Sequence, residues 1–354
     1  MRSDIADAAP STATSVPGRP RRVGRRIGLL AVLLAGTVVL SFAVGRSWVP
    51  PHWAMGILLQ DLLPISGPWP ESMETVVTQI RAPRILGAVA IGAALAGSGA
   101  AYQSMFRNPL VSPSILGVSA GAGFGAALGI SMQLPWAVIQ LMGFVGGLVA
   151  TAITFLIGQI LGNSSLVVLV LAGMVVAALF GAFISLTQYF ADPDSTLPQI
   201  TFWLMGGLDR IALDGLPAPS ILICGCLLAL FLMRWQINVL AAGDDEAKTL
   251  GVNRLALWGV VVLAATLMTS CAVSLSGMIG WIGLIVPHAA RMIVGPSFDR
   301  VLPASILLGG IFLLLADDVA RTVTTVELPI GIVTAVIGAP CFLLLLARTR
   351  RNAL

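Results

Sequence analysis

Gly117-Val118-Ser119-Ala120-Gly121-Ala122-Gly123-Phe124-Gly125-Ala126-Ala127-Leu128-Gly129 decides the fold. A glycine at every fourth position puts small residues on one helix face and lets a second helix come close. The run lies inside a longer stretch, Asn108 to Ala191, that has no Asp, Glu, Lys or Arg. About 20 apolar residues cross a bilayer as a helix, and in lipid only helices and closed barrels satisfy their own backbone groups. The apolar runs are continuous rather than alternating, which selects helices over a barrel. The rest of the chain agrees: of 354 residues, 57% are hydrophobic and 10% charged, with 38 glycines. That composition excludes a soluble globular domain.

Working outward, ten apolar spans are expected at roughly 27–46, 85–106, 114–131, 135–161, 165–190, 216–236, 255–275, 277–294, 301–319 and 328–347. The apolar segment from Leu197 to Leu208 carries Trp203 and is too short to span, so it reads as an interfacial or re-entrant helix. Residues 1–24, rich in Pro, Ser, Ala and Arg, read as a disordered tail. Arg19, Arg21, Arg22, Arg25 and Arg26 precede the first span, and Arg348, Arg350 and Arg351 follow the last. An even span count and the positive-inside bias then put both ends in the cytoplasm. A cleaved signal peptide is the alternative for the first span, but the length of the run and the arginine count favour an uncleaved helix. The four cysteines match no zinc or disulfide framework. Inside-facing arginines account for the net charge of +4, so no nucleic-acid partner is implied.

Several motifs carry no chemistry. Gly117-Val118-Ser119-Ala120-Gly121 fits G-x-S-x-G, but that hydrolase elbow needs a strand–turn–helix, a histidine base and an acid. Ser119 sits in a charge-free helix and the chain has only His52 and His288. A Walker A loop is absent: Gly243 to Thr249 has Ala247 where glycine is required and is acidic. Asp317 and Asp318 are the strongest intramembrane acids. Asp317 lies four residues before Arg321, the spacing of an ion pair on one helix face.

Two charged features remain. The first is an island, Gly243-Asp244-Asp245-Glu246-Ala247-Lys248-Thr249-Leu250-Gly251, which holds the only lysine of the chain. On the topology above it is cytoplasmic, a handle for a soluble partner. The second is a set of outward arginines, Arg81 and Arg84 around Pro83, and Arg321. Arg81 and Arg84 oppose both the positive-inside trend and the dipole of the helix they open. Docking of an acidic partner surface explains them; so do headgroup contacts or local salt bridges to Asp61, Glu71 or Glu74.

At this point the chain resembles a family, the ten-span permeases of ABC importers for iron–siderophore, haem and cobalamin. The resemblance rests on Arg81-Ala82-Pro83-Arg84, Gly92-Ala93-Ala94-Leu95-Ala96-Gly97, Arg107-Asn108-Pro109-Leu110 and Gly117-Val118-Ser119. Further blocks are Trp203 with Gly206-Gly207, the 243–251 island, Val286-Pro287-His288, Asp317 with Arg321, and Glu327-Leu328-Pro329-Ile330-Gly331. They run in family order over about residues 75–348.

The resemblance implies an all-α polytopic membrane protein with ten transmembrane helices per protomer, a homodimer (or a dimer with a close paralogue) whose pathway lies at the dimer interface. The domain layout expected is the 1–24 tail, then a 25–350 permease domain with coupling helices at about 238–253. By the same likeness, Gly243, Asp244, Asp245, Glu246, Ala247, Lys248, Leu250 and Gly251 couple to two cytoplasmic ATPase subunits. Arg81, Arg84 and Arg321 would engage glutamates of a periplasmic binding protein. Asn108 and Leu110 would belong to a cytoplasmic gate, with Ser164 and Ser165 beside Asn163 in its second segment. No cofactor is expected in the chain itself, since ATP and Mg would be bound by the partner ATPase. No enzymatic activity and no metal site are expected in it either. The machine would sit in the bacterial inner membrane and import a bulky chelate, ferric siderophore by default, with haem, cobalamin or molybdate as alternatives. Scarce His, Glu and Tyr in the spans argues against bare metal ions. The competing class, an ion-gradient-driven transporter, would call for paired mid-membrane acids or unwound helices. Asp318 departs from the family pattern, as does the long N-terminal tail.

Overall fold

In the computed structural model, residues 19–60, 67–161 and 166–351 are described. Among them no strand occurs. The first helices are α1 (Arg19–Ala43), α2 (Pro51–Leu59) and α3 (Glu71–Thr75), which runs through a π-turn (Val76–Arg81) into α4 (Ala82–Met105). A 3-10 turn (Pro113–Leu116) leads to α5 (Val118–Ser131), α6 (Trp136–Ile160), α7 (Leu166–Phe190) and the short α8 (Thr196–Met205). Then come α9 (Pro217–Leu232), α10 (Arg234–Ala242), α11 (Asp244–Thr249), α12 (Arg254–Ser276), α13 (Ile282–Val294), α14 (Phe298–Thr322) and α15 (Ile330–Arg351).

Each of the ten expected spans falls on a helix, but they are not alike. Six helices are long and apolar enough to cross a membrane: Val23–Ala43, Glu71–Met105, Trp136–Ile160, Val167–Phe190, Arg254–Ser276 and Phe298–Thr322. A seventh span would be α9 with α10, bent by 56° at Met233. The remaining three, Val118–Ser131, Ile282–Val294 and Ile330–Leu345, are shorter apolar helices. The helix α1 begins at Arg19, so residues 19–24 belong to it rather than to the expected tail. Arginine is a good helix former, which extends the apolar helix backwards.

Nearly every residue of α4 is buried, because α12, α13 and α14 surround it. Glycine makes the closest of these contacts. A β-carbon on Gly92 would run into the Gly309 carbonyl of α14, and one on Gly309 into the Gly92 carbonyl. The two backbones therefore touch, and van der Waals contact over that seam replaces the side-chain interlock of a soluble bundle.

A second layer, α5 against α6, uses the glycine ladder. A β-carbon at Gly121 would meet the Gly146 carbonyl, and one at Gly125 the Met142 carbonyl. Gly117 does not continue the ladder. It has φ of +85° and ends the 3-10 turn, so the third span starts at Val118. Only glycine takes that backbone freely. The α12 helix packs on both layers, touching α4, α5, α6 and α9.

The short α8 follows a tight turn at Asp192. The Asp192 carboxylate accepts from the Ser195 hydroxyl (2.8 Å) and the backbone N–H groups of Ser195 (2.9 Å) and Asp194 (3.1 Å). These bonds, the Ser195 hydroxyl first, hold its pKa below the ordinary carboxylate value.

Candidate functional site

The antiparallel pair α4 and α14 sets up two polar ends. With 24 residues in α4, its length is about 36 Å at 1.5 Å per residue, close to the thickness of a bilayer core. One end carries Arg84 and Asp317; the other carries Arg107 and the 243–251 island.

At the first end the three arginines expected from the sequence come together, and they are buried: Arg81, Arg84 and Arg321 are 3%, 6% and 6% exposed. The fully buried Asp317 is their centre. Arg84 Nε donates to both Asp317 carboxylate oxygens, at 2.9 and 3.0 Å, and Arg84 Nη1 donates to Glu327 at 2.8 Å. Arg321 Nε lies 3.1 Å from Asp317, an ion pair by distance without hydrogen-bond alignment. The other limb of Arg321 pairs with Asp318, which also accepts from Ser41 Oγ at 2.7 Å. Arg81 turns to α1 and donates to the carbonyls of Phe42 and Ser47. Two guanidiniums, Arg84 and Arg321, thus share three carboxylates from α14 and the segment before α15, and Arg81 is held by backbone carbonyls at the end of α1. The expected i, i+4 pair of Asp317 and Arg321 forms. Asp317 and Glu327 as partners of Arg84 carried no local signal, because each lies more than two hundred residues away.

In this conformation the three arginines are engaged internally rather than presented to solvent. Beside them opens a cavity of about 340 Å³, whose wall includes Arg46, Arg84, Trp136, Trp203, Arg210 and Glu327. Arg210 stacks on Trp136 at 4.9 Å.

At the opposite end, α11 is a six-residue helix with Asp244, Asp245 and Glu246 in its first turn and Lys248 in its last. That charge order matches the helix dipole at both ends. Asp244 is clamped between Arg107 and Arg254, each at 2.8 Å. Ala247 is buried beneath the helix, and Val252 N–H returns to its carbonyl at 2.8 Å. Asp245, Glu246, Lys248 and Leu250 point outward. The Glu246 carboxylate folds back over Gly243, where a β-carbon would collide with it. Asn253 caps α12, accepting from Ala256 N–H at 3.1 Å. Asn238 ties α10 to α14 by accepting from Phe298 N–H at 2.6 Å. The island is therefore held from behind and free in front.

Asn108 and Leu110 sit beside this end. Asn108 Oδ1 accepts from Leu110 N–H at 2.9 Å, and Leu110 is about half exposed. Ser164 and Ser165 lie outside the described residues. Sequence reasoning missed the Arg107–Asp244–Arg254 clamp, because Arg107 lies 137 residues from Asp244.

Comparison with known proteins agrees in length and fold. Residues 32–348 match the model of the FecCD transport family. The chain is 37% identical to the molybdate import system permease MolB of Haemophilus influenzae over 92% of this chain and 96% of that one. It is 38% identical to a probable iron chelatin transport system permease of Helicobacter pylori, over 92% and 98%. A solved inward-facing ABC transporter of metal-chelate type superposes with a TM-score of 0.81 at 37% identity, over 92% of this chain and 99% of that one.

Proposed function

Because the chain belongs to the FecCD transport family, as an ABC importer permease, we propose that it carries a chelated cargo, ferric siderophore by default, from the periplasm across the inner membrane. The observation that carries the mechanism is the clamped island. A helix anchored by Asp244 and exposing Asp245, Glu246 and Lys248 can take up movement from an ATPase and pass it through Arg107 to α4 and Arg254 to α12. The partner ATPase would bind the ATP and Mg, since the chain has no phosphate loop.

The functional unit in this reading is a homodimer, or a dimer with a close paralogue, and both termini are cytoplasmic. The outer arginine cluster receives a periplasmic binding protein. Its ion pairs suit exchange: Glu327, with a side chain 37% exposed, is the accessible partner of Arg84, whereas Asp317 is at 0%. An incoming carboxylate could replace Glu327 without disturbing Asp317. Asn108 and Leu110 serve the inner gate. Molybdate is the second reading for cargo, favoured by the identity to the Haemophilus permease.

The test is uptake of labelled iron, as ferric siderophore or haem, and of labelled molybdate, in cells lacking this chain. Complementation uses wild type, Glu246→Arg and Asp245→Arg. Asp245 makes only a 3.8 Å contact to Lys248 and is almost wholly exposed, so its variant leaves the fold intact. Loss of one cargo, restored by wild type and not by the variants, assigns cargo and coupling. Unchanged uptake of iron together with loss of molybdate sinks the siderophore reading. Full restoration by both variants sinks the ATPase coupling.

A further inference from the structure

Behind the island, where α4, α10 and α13 end, lies a pocket of about 450 Å³. Gln103, Ser104, Arg107, Asn108, His288 and Arg291 line it, and no Asp or Glu does. Arg291 is the unusual member. It is partly buried, and among the described residues no carboxylate pairs with it. One limb of its guanidinium donates to Gln103 Oε1, and the other reaches Ser104 Oγ at 3.4 Å. Gln103 cannot turn away, because its Nε2 donates to the carbonyls of Leu284 (3.0 Å) and Gly283 (3.4 Å). Both acceptors are neutral, so among the described residues no carboxylate compensates the charge of Arg291. A cation taken partly out of water without a counter-charge is costly.

Arg107 adds a second guanidinium. Its backbone φ is +51°, an uncommon value for a residue other than glycine. Asp244 takes one limb of it at 2.8 Å. The exposed Met292 and the rings of Pro109 and Pro296 complete the rim.

We propose that this pocket binds a phosphate group, held by the forks of Arg291 and Arg107. Paired planar guanidiniums suit a phosphate's oxygens in bidentate geometry. The pocket is larger than a bare phosphate and has an apolar rim, so the group can arrive free or esterified in a lipid headgroup. On the orientation proposed above, it faces the cytoplasmic leaflet. Occupancy shares Arg107 with Asp244 and so bears on the island; it does not depend on which cargo is carried.

The experiment uses the full-length permease as wild type, Arg291→Gln and Arg234→Gln. Arg234 stacks on Phe231 away from the pocket and is the control. Retention of phosphatidylglycerol and phosphatidylcholine is measured by native mass spectrometry from nanodiscs. Thermal midpoints are measured in detergent with inorganic phosphate or chloride. Phosphatidylglycerol retained by wild type and by the control, and weakened about tenfold by Arg291→Gln, assigns a lipid source. A midpoint raised by phosphate but not chloride, and lost in Arg291→Gln, assigns free phosphate. Equal retention and equal midpoints in wild type and a folded Arg291→Gln overturn the site. If Arg291→Gln does not fold, Met292→Glu makes the same comparison by adding a carboxylate at the exposed rim, and unchanged binding there overturns the site.

Discussion

Asp317 serves two guanidiniums from a position with no solvent, so it governs the arginine cluster. Replacing it by asparagine leaves Arg84 and Arg321 short of a buried counter-charge. Removing one partner of a buried pair costs about 3–5 kcal/mol. Asp317→Asn is therefore expected to lower the thermal midpoint of the purified permease sharply. Glu327→Gln breaks the half-exposed pair and should cost under about 1 kcal/mol, so comparable losses in the two variants would refute the hierarchy. The pair of Asp317 with Arg321 was readable from the sequence because a helix brings i and i+4 together. The pair of Arg84 with Asp317 was not, since only the packing of α4 on α14 makes them neighbours.

Backbone contact at the α4–α14 seam and the clamp at the island both join elements, and each gives a prediction. At the α4–α14 seam, Gly309→Ala places a methyl group against the Gly92 carbonyl and the Ala96 side chain. Overpacking of that kind costs about 1–3 kcal/mol. Gly259→Ala in α12 meets nothing within 4 Å and should be neutral or stabilising by up to about 1 kcal/mol. Thermal midpoints of the two variants should move apart, and equal shifts would remove the seam as the cause. At the island, Asp244→Ala frees α11 from Arg107 and Arg254. Both pairs are partly exposed, so stability changes little. ATP-driven uptake should fall as far as in Glu246→Arg; full uptake would mean that α11 transmits nothing through the clamp. Glycine spacing announced that α5 would meet another helix closely, but not that the partner is α6. It misjudged Gly117, because a period of four does not reveal which glycine ends a turn.

At the scale of the whole molecule, one face of α7 is largely uncovered by the described residues, although Phe183 at its end tilts against Phe124 of α5. Val167, Leu171, Val175, Leu179 and Phe183 recur at intervals of four and are exposed. In the dimer reading this face meets its copy or borders the pathway. Val175→Cys in a Cys224→Ser background should then cross-link two full-length chains with a short bifunctional maleimide, whereas Leu228→Cys on α9 should not. Equal cross-linking at both sites, or none at Val175, would assign the α7 face to lipid. The sequence by itself determined the helical membrane class, the apolar segments, the family resemblance and the polar island. Those properties rest on hydrophobic length, local spacing and ordered motifs, which one strand of text contains. Tertiary structure alone decided which distant charges neutralise one another, which helices the glycines bring into contact, and that Arg81, Arg84 and Arg321 are held inside. Those depend on contacts between residues far apart in the chain, where burial makes each unpaired charge costly and leaves few arrangements open.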